Sequence, residues 1–210
     1  YRDKELTGAI LTRIARSHIR VGTFEFAALQ QNKAITRALL EYLINRHFPE
    51  IREEENTPLA LLNAVIKQQA ELIIHWMRVG FIHGVMNTDN MALSGETIDY
   101  GPCAFMDRFA PDTVFSSIDH RGRYAYANQP HIAQWNLIRL AEALLPLIDE
   151  NRELAIEKSE DALNSFEILY KDSWKSMMRS KIGLSQADPE DEQMITELLD
   201  YMHQNQLDYT

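Results

Sequence analysis

The chain has 210 residues, enough for one good-sized core or for one lobe of a larger protein, and 45% of them are hydrophobic. Its formal net charge of −10 argues against binding to nucleic acid and against adhesion to an anionic membrane, because both require a basic face. No apolar run reaches the roughly 20 residues of a membrane-spanning helix, and the single cysteine, Cys103, allows no internal disulfide and fits a reducing compartment.

The N-terminal part of the chain predicts one extended segment and two helices. Residues 9–14 are apolar and compatible with a β-strand. Asn32 to about His47 carries apolar residues at helical spacing, and the charged run that follows forms a loop. A second helix starts at Thr57-Pro58, with a capping hydroxyl and proline in the first turn. It runs to about residue 79 and is predicted to be the central buried helix.

The centre of the chain predicts a small hairpin. Residues 91–93 and 97–99 are strand candidates on either side of Ser-Gly-Glu, a tripeptide that favours turns. Such a hairpin would bring Asn90 and Asp99 side by side. Residues 102–134 are irregular. Helices are then predicted at about 135–147, 152–178 and 189–204, the last after an Asp-Pro pair typical of a helix start. The predicted class is mainly α, with one small β-hairpin at the candidate active site.

The most informative motif is His-Gly-Val-Met-Asn-Thr-Asp-Asn over residues 83–90, followed by Asp-Tyr-Gly at 99–101. A protein kinase has H-R-D-x-x-x-x-N in its catalytic loop and D-F-G after it. The spacing from His83 to Asn90 is the same, but Val85 stands where a kinase has its catalytic aspartate, and valine cannot accept a proton. A carboxylate is present instead at Asp89, next to Asn90.

These residue types suit metal-assisted nucleotide chemistry. Asn90 and Asp99 offer the hard oxygen ligands that Mg²⁺ or Mn²⁺ prefers, although both residue types are also common in turns. Asp89 is a candidate general base, and the alternative is a capping role at a turn. Arg13 and Arg20 could make bidentate contacts with phosphate oxygens, although surface ion pairs are the commoner fate of arginine on an acidic protein.

Several strings in the right order resemble the selenoprotein O family, kinase-like proteins that transfer AMP from ATP to protein hydroxyls. The resemblance is carried by Gly-Ala-Ile-Leu-Thr-Arg at 8–13, Ser-His-Ile-Arg-Val-Gly-Thr-Phe at 17–24, residues 80–91, Asp-Tyr-Gly-Pro at 99–102, Asp-His-Arg-Gly-Arg-Tyr at 119–124, Asn-Gln-Pro at 128–130 and Trp-Asn at 135–136. Together they cover about residues 8 to 150, and the helical tail beyond them carries no distinctive motif.

The resemblance implies a protein-kinase-like C-terminal lobe over residues 1–210, with most of the N-terminal lobe missing. Within it, 1–30 would be the phosphate-binding segment between the lobes, 83–102 the catalytic loop and metal-binding hairpin, and 135–210 a helical tail. The family's glycine-rich loop and nucleotide-binding lysine are not found here. We therefore expect the chain alone to lack transferase activity and to bind ATP weakly.

The resemblance also implies the role of each site residue. Asp89 would be the catalytic base, Arg13, Arg20 and Asp99 would bind the nucleotide, and Asn90 and Asp99 would hold Mg²⁺ or Mn²⁺. ATP would bind in a reversed orientation, so that its α-phosphorus faces a Ser, Thr or Tyr hydroxyl of a protein substrate and pyrophosphate leaves. Two alternatives stay open: UMP transfer from UTP at the same site, and a non-catalytic, pseudokinase-like binding module.

A few further expectations concern single residues and location. His83 should hold the backbone of the catalytic loop, as the kinase histidine does, and Arg16 should make a surface ion pair. Cys103 is expected to be a small buried thiol rather than a redox-active group. No nucleic-acid or membrane partner is expected. A bacterial protein of this kind would be cytoplasmic, and a eukaryotic one mitochondrial.

Overall fold

The computed structural model describes residues 8–210, in which helices predominate and one small sheet is present. The elements are α1 (Val21–Leu29), α2 (Lys33–His47), α3 (Thr57–Arg78), β1 (Phe81–Ile82), β2 (Ala104–Phe105), α4 (Gln129–Ile148), α5 (Arg152–Lys181) and α6 (Asp191–Gln204), with 3-10 turns at Pro49–Ile51, Thr88–Asn90 and Tyr126–Asn128. The predicted class, mainly α with a small antiparallel sheet, is confirmed. Among the described residues, no helix is long and apolar enough to cross a membrane.

Side-chain caps determine where the first long helices begin. The side chain of Asn32 accepts the N–H of Ala34 at 3.0 Å, and α2 starts as predicted. α3 also starts where predicted, but its cap is the amide of Asn56, which accepts the N–H of Leu59 at 3.2 Å. The prediction of a hydroxyl cap is therefore wrong. Gly80 follows the end of α3 with a φ of 67°, a left-handed conformation that favours glycine.

Two later helices begin at positions that differ from the prediction. α4 starts at Gln129, well before the predicted residue 135, because a 3-10 turn leads into it and Pro130 suits a first helical turn. α6 starts at Asp191 rather than at the predicted proline. The carboxylate of Asp188 accepts the N–H of Glu190 at 2.9 Å, so the Asp-Pro pair forms the turn before the helix.

The core is built around α3, which is the central buried helix as predicted. It packs against both α4 and α5. The fully buried aliphatic side chains on α3 and α4 include Leu61, Leu62, Ile66, Ile73, Leu137 and Leu140. Each such burial contributes about 1.5–3 kcal/mol. The loop between α3 and α4, which carries the motif, therefore starts and ends on rigid helices.

The extended segment predicted over residues 9–14 forms no strand. Ile10 is 99% exposed and Ile14 93% exposed, and no strand in residues 8–210 forms backbone pairing with this segment. An apolar stretch without a neighbouring strand lacks the ladder hydrogen bonds and the packed face that stabilise β-structure. The prediction of β-structure here is wrong.

The hairpin predicted over residues 91–99 is reduced to a single bridge between Met91 and Thr97. The backbone of this segment is engaged elsewhere, because the N–H of Val21 donates to the carbonyl of Met91 at 3.0 Å. The antiparallel sheet instead joins β1 to β2. This sheet holds together the two ends of the segment 83–103. The segment contains the whole motif, and we call it the motif loop.

Candidate active site

One buried histidine holds the inside of the motif loop. His83 is 0% exposed, and its Nε2 lies 2.8 Å from the carbonyl oxygen of Ile98. Its Nδ1 accepts the N–H of Val85 at 3.3 Å, so the neutral ring carries its proton on Nε2. Burial lowers the pKa of His83, which favours this neutral form. The expectation that His83 supports the loop backbone is confirmed.

Two amide side chains of α4 fix the first half of the motif loop. Gln129 is 0% exposed, accepts the N–H of His83 at 3.0 Å and donates to the carbonyl of Phe81 at 2.9 Å. Asn136 is also fully buried and donates to the carbonyl of Met86 at 2.9 Å. The two amides are seven residues apart, so they lie on the same face of the helix. Motif reasoning assigned them no role, although polar residues on an apolar helix face were the available signal.

The 3-10 turn Thr88–Asn90 presents the carboxylate of Asp89 to solvent. Asp89 is exposed, and no donor in residues 8–210 bonds to its carboxylate, which does not support the alternative of a capping role. The turn rests on the first turn of α1, where a Cβ on Gly22 would lie 3.3 Å from the nitrogen of Asp89. Asn90 donates from Nδ2 to the carbonyl of Val85 at 2.9 Å. This bond orients the amide and leaves its oxygen available.

Asp99 has a constrained backbone and an unpredicted partner. Its φ is 60°, a left-handed conformation that aspartate tolerates better than most residues, and its carbonyl accepts the N–H of Gly101 at 2.8 Å. Arg13 donates to Oδ1 of Asp99 at 2.9 Å in a half-exposed ion pair. No donor among the described residues bonds to Oδ2. The carboxylate is therefore partly neutralised by one of the arginines that sequence reasoning assigned to phosphate.

The structure brings both predicted arginines to one cavity of about 570 Å³, which Arg13, Arg20, Asp99, His18 and Tyr100 help to line. Nε of Arg20 is buried and finds no hydrogen-bond acceptor within residues 8–210. A buried donor without a partner costs about 1–3 kcal/mol. Two carboxylates, Asp99 and Glu96, line the cavity together with the two arginines, and the arginines are the groups that suit a phosphate.

The two predicted metal ligands belong to segments that run alongside one another. The bridge between Met91 and Thr97 is antiparallel, so the residues before Met91 approach those after Thr97, and His83 ties its end of the loop to Ile98. Within the described residues there is no cluster of three or more His, Cys, Asp or Glu side chains that could enclose a metal. Two oxygen ligands alone suit a magnesium ion that relies on nucleotide phosphates and water for the rest of its shell.

Comparison with known proteins decides the family. The sequence pattern described as "Protein adenylyltransferase SelO" matches residues 1–210. The chain belongs to this family. Three relatives named "Protein nucleotidyltransferase YdiU" are 60% identical over 210 residues (Brevibacillus brevis), 59% over 210 (Nitrosococcus oceani) and 57% over 209 (Alcanivorax borkumensis). Each match covers the whole of this chain and 43% of the relative, so the chain spans less than half the length of these proteins.

Two further side chains that the sequence analysis discussed, those of Arg16 and Cys103, do not line the cavity. Arg16, which is between the two cavity arginines in sequence, pairs with Glu96 at 3.4 Å and donates to the carbonyl of Ser94 at 3.0 Å. The prediction of an ion pair is confirmed. Cys103 is a free thiol of intermediate exposure that packs against the core, so it is less buried than predicted.

Proposed function

We propose that a full-length protein containing this chain transfers AMP from ATP to Ser, Thr or Tyr hydroxyls of other proteins. The observation that carries the proposal is the cavity in which Arg13, Arg20 and Asp99 meet, with an unsatisfied donor on Arg20. The names of the family and of the relatives support the same chemistry. Asp89, which is exposed in the motif loop and does not line this cavity, supplies a carboxylate that accepts no hydrogen bond among the described residues.

Arg13 and Arg20 would bind the triphosphate. The ion pair of Arg13 with Asp99 is half-exposed, and such pairs contribute only about 0–1 kcal/mol. A charge-assisted hydrogen bond to phosphate is worth about 1.5–3 kcal/mol, so a bound nucleotide can draw Arg13 away from Asp99. This exchange would free both carboxylate oxygens of Asp99 at the moment the nucleotide arrives.

The oxygen of Asn90 and the carboxylate of Asp99 would hold Mg²⁺ or Mn²⁺. The fit rests on chemistry present in the structure: both groups are hard oxygen donors, and neither oxygen left for the metal, Oδ1 of Asn90 or Oδ2 of Asp99, accepts a hydrogen bond within residues 8–210. When bound, the ion would offset negative charge on the phosphate oxygens and on the leaving pyrophosphate.

Asp89 would act as the general base. It would take the proton from the acceptor hydroxyl while the hydroxyl oxygen bonds to the α-phosphorus and the bond to pyrophosphate breaks. A positioned base contributes about 10²- to 10⁴-fold to the rate. Val85 has no proton-accepting group at the position of the kinase base. A reversed nucleotide does not present its γ-phosphoryl group there, so Val85→Asp should not create kinase activity.

Paired substitutions in the full-length protein test these roles. Asp99→Asn should weaken binding of the metal-nucleotide complex and also reduce AMP transfer. Asp89→Asn should reduce transfer by at least about 10²-fold while nucleotide affinity stays close to the original. Asp112→Asn, an exposed change of the same kind away from the motif, is the control. Equal loss of affinity in the Asp89 and Asp99 variants would show that Asp89 is a ligand or a structural residue.

A further inference from the structure

The Asp-His-Arg-Gly-Arg-Tyr motif at residues 119–124 folds into a tight turn outside the cavity, which none of its residues lines. The carboxylate of Asp119 accepts the N–H of Arg123 at 2.9 Å and the N–H of Tyr124 at 2.8 Å. Gly122 has a φ of 67°, the left-handed conformation that glycine adopts most readily. The motif therefore fixes the backbone from which the side chain of Tyr124 extends.

Tyr124 reaches from this turn to the motif loop. Its ring packs against the core, and its hydroxyl donates to Oδ1 of Asn87. Asn87 is exposed, and its side chain makes no other hydrogen bond within residues 8–210. The hydroxyl of Tyr124 is therefore the group that holds the side chain of Asn87 in place.

Asn87 begins the 3-10 turn that carries Asp89. The carbonyl of Asn87 accepts the N–H of Asn90 at 2.9 Å, and this bond closes the turn around Thr88 and Asp89. An asparagine at the start of a helical turn commonly accepts an N–H of that turn with its own side chain. Among the described residues Asn87 makes no such bond, and its side chain accepts Tyr124 instead. Two hydrogen bonds in series thus join Tyr124 to the turn.

The carboxylate of Asp89 depends on the backbone of this turn for its position. It accepts no hydrogen bond within residues 8–210, so no partner side chain orients it. On the side of α1 the turn rests on Gly22, where a Cβ would lie 3.3 Å from the nitrogen of Asp89. A misplacement of about 1 Å in a catalytic group can cost about 10²-fold in rate. Small shifts of the turn should therefore change the rate through Asp89.

We infer that Tyr124 is a positioning residue for Asp89, because its hydroxyl holds the turn of the proposed base through Asn87. The inference rests on the proposed function for the role of Asp89 as the base. Tyr124 does not line the cavity that would hold the triphosphate. Its effect should therefore appear in the rate of AMP transfer and not in the binding of ATP.

Steady-state AMP transfer by the full-length protein tests this role. Tyr124→Phe removes only the hydroxyl, and we expect kcat to fall about three- to tenfold, the effect of one lost hydrogen bond, while KM for ATP stays unchanged. Tyr201→Phe is the matched control, because Tyr201 is 58% exposed and its hydroxyl makes no hydrogen bond within the described residues. An equal fall of kcat in both variants, or a higher KM for ATP in the Tyr124 variant, would overturn the inference.

Two combined variants separate positioning from general structural support. Asn87→Ala removes the acceptor of the Tyr124 hydroxyl, so adding Tyr124→Phe should lower kcat no further. In an Asp89→Asn background Tyr124→Phe should also have no effect, because the carboxylate that it positions is already absent. Losses that multiply in either combination would show that Tyr124 does not act through Asn87 and Asp89.

Hydrogen exchange in the 210-residue chain, followed by NMR, tests the contact without nucleotide. The N–H of Asn90, which closes the turn, should exchange about three- to tenfold faster in Tyr124→Phe and at an unchanged rate in Tyr201→Phe. Unchanged exchange at Asn90 in the Tyr124 variant would overturn the inference and leave the proposed AMP transfer untouched. Absence of AMP transfer in the unmodified full-length protein would instead refute the proposed function and the positioning role together, while faster exchange would still show that Tyr124 holds the turn.

Discussion

Replacing Gln129 with leucine should destabilise the whole chain through two backbone groups of the motif loop. The substitution keeps a similar volume but removes the acceptor of the His83 N–H and the donor to the Phe81 carbonyl. Gln129 is 0% exposed, so water cannot replace either bond without a structural change. Each buried backbone group left without a partner costs about 1–3 kcal/mol, and the additional buried apolar surface of the leucine side chain offsets part of that cost. We expect a net loss of about 3 kcal/mol in the free energy of unfolding.

Urea denaturation followed by circular dichroism measures this loss, and thermal unfolding gives a second estimate. For a domain of this size, each kcal/mol shifts the melting temperature by about 2–4 °C, so the expected decrease is about 6–12 °C. Gln134→Leu is the matched control, because Gln134 is on the same helix and makes no side-chain hydrogen bond within residues 8–210. If both variants lose the same free energy, the two bonds of Gln129 do not hold the loop and the reasoning is refuted.

Three further predictions concern the glycine at the loop, the buried histidine and the competence of the chain. Gly84→Ala should destabilise the chain more than Gly183→Ala. Both glycines have φ near 80°, so a left-handed alanine costs about 1–2 kcal/mol at either position, but only at Gly84 would the new Cβ also lie 2.9 Å from Pro102. Equal losses of unfolding free energy in urea denaturation would contradict this prediction. The free energy of unfolding should fall as pH decreases from 7 to 5. Burial holds the pKa of His83, and also that of His47, below the unfolded value of 6.5, so the unfolded chain binds more protons than the folded chain over this pH range. The slope should be at most about 1.4 kcal/mol per pH unit for each histidine and smaller in His83→Asn, and a flat profile would argue against the buried neutral ring. The 210-residue chain alone should bind ATP weakly in calorimetric titration and show no AMP transfer; robust transfer would overturn the expectation that further parts of the enzyme position the nucleotide.

Local sequence signals were enough for α2 and α3, but the helix α1 (Val21–Leu29) was not predicted and α4 begins before its predicted start. The same signals failed where distant backbone groups decide the structure. The start of α2 at Asn32 and the run of α3 follow from capping residues and apolar spacing. The strands Phe81–Ile82 and Ala104–Phe105 are two residues each, too short to show a period. The 91–99 segment has the pattern of a hairpin, but Val21 takes the carbonyl of Met91, which no local pattern could reveal.

The candidate site also combines features that a local motif predicts with features that depend on the tertiary fold. The motif placed His83 correctly, because its spacing to Asn90 reflects a fixed loop geometry. The pairing of Arg13 with Asp99 joins residues that are 86 positions apart, so it depends on the tertiary fold. The two hydrogen bonds of Gln129 were also not predicted, because this residue lies in a segment predicted to be irregular, before the predicted start of the helix.

Intact-mass spectrometry tests the central claim most directly. A full-length family member containing these 210 residues would be incubated with Mg²⁺, a bystander protein and either ATP or UTP. We predict that ATP gives a mass gain of one adenylate group on a protein, with release of pyrophosphate, and that Asp89→Asn slows the gain by at least about 10²-fold. A gain equal to one phosphate, a gain only with UTP, or an adenylate gain at an unchanged rate in the Asp89 variant would contradict the account.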